Sequence, residues 1–233
     1  MKLLILLITT VFICPFISPQ DSVKISGYVR DFDGNPLDSV VVHLKDKNFS
    51  DLFTTYSDKF GYYELIIPAS NYYCMYAIKE SQYGKSRLEF WGWNIPAYKD
   101  LNINPSYNRL EVYGVNIFEP QVEPFETYMV YFRPMSLTRV LPLKDKDLNN
   151  YDIAPDSLTR NDIVIKMNGD SARIVNITKV SEIARGKRLF GYLIQFIKSN
   201  SANPELKDYD KIEITVTDPG NGDKGKSISY VKR

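Results

Sequence analysis

The one histidine of this 233-residue chain, His43, lies in the run Val41 to Lys45, VVHLK. A zinc hydrolase needs two or three His or Glu ligands at fixed spacing. Leu44, Lys45 and Asp46 follow His43, so no His-x-x-Glu forms. A Ser-His-Asp or Cys-His nucleophile would need the same residue as its base, and no Ser or Cys motif surrounds it. Paired carboxylates could serve a glycosidase. With 28 acidic residues, pairs arise by chance, and no cleft signature selects one. A hydrolase using a carboxylate pair therefore stays open only as an alternative. Asp31-x-Asp33-Gly34 has the start of a calcium loop but not its oxygen series ending in a bidentate Glu. Turn chemistry accounts for those aspartates. No Gly-rich phosphate loop opens a helix. The expectation is a non-enzyme with no catalytic residue, no metal ligand and no cofactor.

The stretch above this background is Phe90 to Tyr98, FWGWNIPAY, which holds both tryptophans. Trp91 and Trp93 are two apart, so on a strand they share a face. Gly92 leaves the other face open, and Pro96 and Tyr98 begin a loop. A pair of aromatics on a sandwich face can stack on sugar rings or grip an aromatic-rich partner, with Asn94 adding a polar contact. Trp91, Trp93, Asn94 and Tyr98 are thus the candidate ligand-binding residues. The competing reading is that both tryptophans plug the sandwich core or its junction with a second domain.

These residues need strands to hold them. Val23, Ile25, Gly27 and Val29 alternate with Lys24, Ser26, Tyr28 and Arg30, the period of a half-buried strand. The turn Asp31 to Pro36 follows, with Gly34 and Asn35 tolerant of positive φ. Strands are expected over Ser39 to Asp46, with His43 off the Val40, Val42, Leu44 face, and over Leu52 to Tyr56. Another follows the Ser57 to Gly61 turn and is stopped by Pro68. Tyr72 to Lys79, Arg87 to Trp93 and Asn108 to Phe118 continue the series, and Thr127 to Arg133 is expected to close or edge the same sheet. Val140 to Ser157 is charged, holds two prolines and alternates poorly, as a linker does. Beyond it lie Asp162 to Met167, the hairpin signal Asn168-Gly169, Ala172 to Ile183, Lys187 to Lys198, Lys211 to Thr217 and Ser227 to Val231. The fold class is all-β, with two β-sandwich domains. The expected organisation is a signal peptide over 1–20, a first sandwich over 21–139, a linker over 140–158 and a second sandwich over 159–233.

Lys plus Arg is 29 and Asp plus Glu is 28, so no field gathers phosphate backbones and nucleic acid is not an expected partner. The 17 tyrosines and 12 phenylalanines suit sheet faces. Lys2, the apolar run Leu3 to Ile13 and the break at Pro15 to Gln20 have the layout of a secretory signal, shorter than a span of about 20 residues. Cleavage is expected near Ser18 to Gln20. Cys14 opens a lipoprotein alternative against a poor lipobox, Phe12-Ile13, and an uncleaved anchor is the other route to a membrane. Cleavage would leave only Cys74, so no intrachain disulfide is expected. Cys74 lies in an apolar strand pattern, as a buried inert thiol does.

The residues GYVRDFDGNPLDSVVVHL and TTYSDKFGYYELIIP resemble the carboxypeptidase regulatory-like domain, a transthyretin-like β-sandwich common in exported bacterial proteins. Gly27, Val29, Asp31, Gly34, Pro36, Leu37, Val40, Val42, Thr55, Asp58, Gly61 and Tyr63 carry the likeness. The second half resembles bacterial immunoglobulin-like domains in strand pattern only. The resemblance implies a scaffold and brings no catalytic residue. The combined expectation is a non-catalytic exported binding or scaffold protein of the bacterial envelope, in the periplasm or at the cell surface. Its partner would be a glycan or an envelope protein. A carbohydrate-binding module using the Trp91, Trp93 platform is the alternative.

Overall fold

The computed structural model describes residues 21–121, 126–143, 151–184, 186–203 and 206–233. The expected signal segment and Cys14 lie outside them. The strands are β1 (Ser22–Tyr28), β2 (Val41–Lys45), β3 (Asp51–Tyr56), β4 (Tyr62–Pro68), β5 (Ser70–Ile78), β6 (Phe90–Ala97), β7 (Leu101–Asn102), β8 (Leu110–Phe118), β9 (Thr127–Ser136), β10 (Ile163–Met167), β11 (Asp170–Ser171), β12 (Ile174–Ala184), β13 (Lys187–Ile197), β14 (Tyr209–Thr217) and β15 (Lys224–Lys232). One helical turn, α1 (Leu137–Val140), follows β9. The protein is all-β. No helix among the described residues is long and apolar enough to cross a membrane.

Three sheets form: β4-β1-β7, the eight-stranded β11-β10-β14-β15-β6-β5-β2-β3, and β12-β13-β9-β8. The long sheet is the middle layer. One core, with Val23, Ile25, Leu65 and Ile67, lies between β4-β1-β7 and the β2, β5, β6 part of that sheet. A second, with Leu110, Val130, Tyr192 and Ile214, lies between β12-β13-β9-β8 and its β6, β14, β10 part. β6 is buried on both faces. Phe90, Ile95 and Ala97 enter the first core, and Trp91 and Trp93 enter the second.

Two sandwiches thus share one sheet, and the sheets cross the expected 140–158 boundary. β15 pairs in parallel with β6, through Ser227↔Trp91, Ile228↔Gly92 and Ser229↔Trp93. β8 and β9 correct the expectation that Thr127 to Arg133 edges the first sandwich, because β9 pairs with β13. The apolar face explains the choice of partner. Tyr128, Val130 and Phe132 stand opposite Phe196, Ile194 and Tyr192, and all six are buried. The described part of the expected linker is also packed. Ala154 and Leu158 enter the second core, and the Pro155 carbonyl accepts from Tyr192 Oη and Lys179 Nζ.

The turns obey the residues that make them. Asp31, Asp46 and Asp58 each accept two backbone N–H groups of their own loop through Oδ1, the Asx chemistry of tight turns. Asn168 and Gly169 both take positive φ, 54° and 98°, as a two-residue hairpin demands. Gly27 has a different reason. A Cβ there would sit 1.9 Å from the Ile103 carbonyl oxygen, so only glycine lets the chain after β7 run beside β1. Gly225 does the same for β15, where a Cβ would meet the Leu110 carbonyl oxygen at 1.9 Å.

The loop Asp218 to Asp223 before β15 fastens the layers. Asp223 accepts from Arg109 Nε, Ser136 Oγ, Thr138 N and Thr138 Oγ1. Asp218 accepts from Arg139 Nε at 2.7 Å and from Gly220 N at 2.9 Å. Buried polar groups are tolerated when they are hydrogen-bonded in this way.

Candidate functional site

Trp91 and Trp93 do lie on one face of β6, their rings stacked with centroids 5.4 Å apart and planes 19° apart. That face is interior. The two residues are 7% and 5% exposed. Tyr113 of β8 stands edge-on to both at 5.3 and 5.4 Å. Phe49, from the β2–β3 loop, stands edge-on to both from the loop side at 6.0 and 6.5 Å. Tyr73 and Tyr76 complete the cluster. The expected open platform is corrected here: β8 is folded over it, because β8 belongs to the sheet that caps this side. Phe49 holds φ at 63° to reach its place, a conformation non-glycine residues seldom take.

Behind Trp91 lies a carboxyl pair that sequence reasoning did not select. Glu89 and Glu111 are 5% and 4% exposed. Glu111 Oε1 accepts from Trp91 Nε1 at 2.7 Å. Burial pushes the Glu111 carboxyl well above its usual range, and the neighbouring Glu89 charge adds to this. Burial likewise raises Glu89. Two buried carboxyls side by side hold a proton that neither would keep in water. Glu89 Oε2, Trp93 Nε1 and Arg133 Nε are buried with no hydrogen bond to a described residue. A glycosidase pair flanks its substrate across several ångströms. These two carboxyls touch each other beneath aromatic rings, so the geometry does not match that alternative.

Asn94 and Tyr98 part company with the tryptophans. Asn94 is exposed and takes φ of 53° in the middle of β6. The β5–β6 ladder skips it, passing from Tyr72↔Ile95 to Cys74↔Trp93. That break turns the Asn94 side chain outward, beside a depression of about 530 Å3 bordered by Asp46, Lys47, Asn71 and Tyr73. Tyr98 is 51% exposed and lies 6.4 Å from the Tyr209 ring.

The other residues able to do chemistry are engaged. His43 Nδ1 is 2.9 Å from Thr54 Oγ1 and 3.6 Å from Asp51 Oδ1. Burial lowers its pKa against the pull of Asp51. Cys74 is a buried free thiol, pushed up to about 12 by burial, which removes the thiolate a nucleophile needs. Asp31 and Asp33 sit in their turn, and no group of three or more His, Cys, Asp or Glu poised for a metal occurs among the described residues.

No protein-family model matches the chain, and no curated protein matches it. Solved structures do. The major pilin subunit BcpA of Bacillus cereus is 13% identical over 91% of this chain and 69% of its own, with a TM-score of 0.27. A DUF3823 family protein from Parabacteroides merdae is 10% identical over 91% of this chain and 98% of its own, TM-score 0.28. The major pilin SpaD of Corynebacterium diphtheriae is 9% identical over 92% of this chain and 66% of its own, TM-score 0.28. At such scores the fold rests on the sheets described above, not on these neighbours.

Proposed function

We propose that this chain is a non-catalytic exported protein of the bacterial envelope, a β-sandwich scaffold that presents a binding surface. The observation that carries the reading is the engagement of its reactive groups in packing. The Cys74 thiol is buried, His43 is bonded across β2 and β3 to Thr54, and Glu111 is bonded to a core tryptophan. The likeness of residues 23–68 to carboxypeptidase regulatory-like domains supports the scaffold role, and the apolar N-terminal run supports export to the periplasm or cell surface. Immunoglobulin-like character in the second half belongs to the same reading.

Incubation with peptide and glycan panels tests it, using the native protein and Glu111→Gln. No turnover above the blank is expected from either. Turnover by the native protein that Glu111→Gln abolishes would contradict it.

A further inference from the structure

Three depressions at one rim of the central sheet join into a groove. The first is that beside Asn94, and it shares Asn71 and Asn94 with a second of about 360 Å3. The second shares Tyr98, Tyr209 and Lys232 with a third of about 490 Å3. The path runs from the β2–β3 loop, past the strained turn of β6, to the start of β14.

Its lining has two kinds of group. Exposed amides and rings come first. The Asn71 and Asn94 side chains are exposed and make no hydrogen bond to a described residue, and Tyr98 offers half its surface beside Tyr209. Cations come second. Lys47, Lys99, Lys207 and Lys232 are all exposed and border the groove, with no ion pair to a described residue. Two aspartates oppose them, Asp46 and Asp208. Asp46 already accepts the N–H groups of Asn48 and Ser50. The left-handed Asn94 is the strained residue of the set. Such backbone strain clusters where a side chain must be aimed.

We infer that this groove binds an extended acidic polysaccharide. Resting on the scaffold reading, the inference supplies that reading with a ligand class. Tyr98, half exposed beside Tyr209, offers aromatic surface to a sugar ring. The two amides match hydroxyls, which both donate and accept. The excess of unpaired lysines matches carboxylate groups along the polymer, and the linked depressions match a chain of sugars.

Affinity electrophoresis and titration with polygalacturonate test it, beside its methyl-esterified neutral form and poly-glutamate. The variants are Tyr98→Ala, Asn94→Gly, which keeps the left-handed backbone and removes the amide, and the pair Lys99→Gln, Lys232→Gln. All lie at exposed positions, and circular dichroism verifies their fold. Polygalacturonate should bind, at least about tenfold more tightly than either control. Tyr98→Ala and the lysine pair should each weaken it about tenfold, and the lysine pair should also flatten the salt dependence. Equal binding of poly-glutamate would make the groove a general polyanion surface, and equal binding of the neutral ester would remove the role of charge. Either result overturns the inference, as does absent binding or variants without effect. New reducing ends in the polymer would contradict the non-catalytic reading while leaving the groove assignment standing.

Discussion

Toward the three-stranded sheet, β6 presents Phe90, Ile95 and Ala97 to a core rich in Val, Ile and Leu. The polar groups there are settled: Tyr63 Oη donates to the Ile103 carbonyl, and Tyr107 Oη accepts from Lys79 N. Toward the four-stranded sheet, β6 presents Trp91 and Trp93 to a core that also holds Glu111, beside Glu89 and Arg133. One strand therefore separates an interior of aliphatic and aromatic side chains from one that also contains carboxyl groups. The first face should respond to volume alone. The second should respond to volume and to protons.

The largest effects should come where both cores depend equally on a missing side chain. Gly27→Ala and Gly225→Ala each drive a Cβ into a backbone carbonyl at 1.9 Å. Neither neighbour is a flexible side-chain tip, so each should cost about 3 kcal/mol or more, measured by urea unfolding. A mild effect at Gly225 alone would mean that β8 is not seated on β15.

Protonation should separate the two faces. The folded-state values of Glu89 and Glu111 lie above the ordinary 4.5. The contribution of the neutral pair is full below the unfolded value and is lost as pH rises through the raised folded value. Asp218 works in the other direction. Burial raises its carboxyl, but the Arg139 hydrogen bond, the Gly220 N–H and the Arg139 charge together outweigh that and hold it below 3.8. Its contribution is present above the unfolded value and lost as pH falls through the lowered one. Glu111→Gln should flatten the decline of the urea midpoint that accompanies rising pH and leave the decline toward acid intact. An unchanged decline on raising the pH would mean that the pair is not the titrating element.

Phe49 gives a smaller effect. It is 38% exposed and strained, yet it covers the stacked tryptophans. Phe49→Ala should shift tryptophan emission to the red and cost about 1 kcal/mol, the scale of aromatic pairs. Unshifted emission would show that Tyr73 and Tyr113 shield the rings without it.

Local order was readable where the signal was local. The alternation from Val23, the Asp31 and Asp58 turns and Asn168-Gly169 all fold as their residues suggest. The shared face of Trp91 and Trp93 followed from a spacing of two. Partner choice was not readable. Nothing near Thr127 to Ser136 states that its ladder partner is β13, about sixty residues on, so the covering of the tryptophans was hidden as well. Glu89, just before β6, and Glu111, within β8, each sit between apolar residues, and only the packing of β8 against β6 brings them together. The groove was half visible, through Asn94 and Tyr98. Its other wall comes from Tyr209 and Lys232, which the parallel β6–β15 pairing delivers.

That pairing makes the most direct test an unfolding experiment with two probes. Tryptophan emission reports the second core, since both tryptophans lie there, while far-ultraviolet circular dichroism reports all three sheets. With β6 shared by both sandwiches, the two signals should give one coincident transition in urea, with the same midpoint and slope. A biphasic dichroism curve, with emission following only one phase, would contradict the account, because the two sandwiches would then unfold independently.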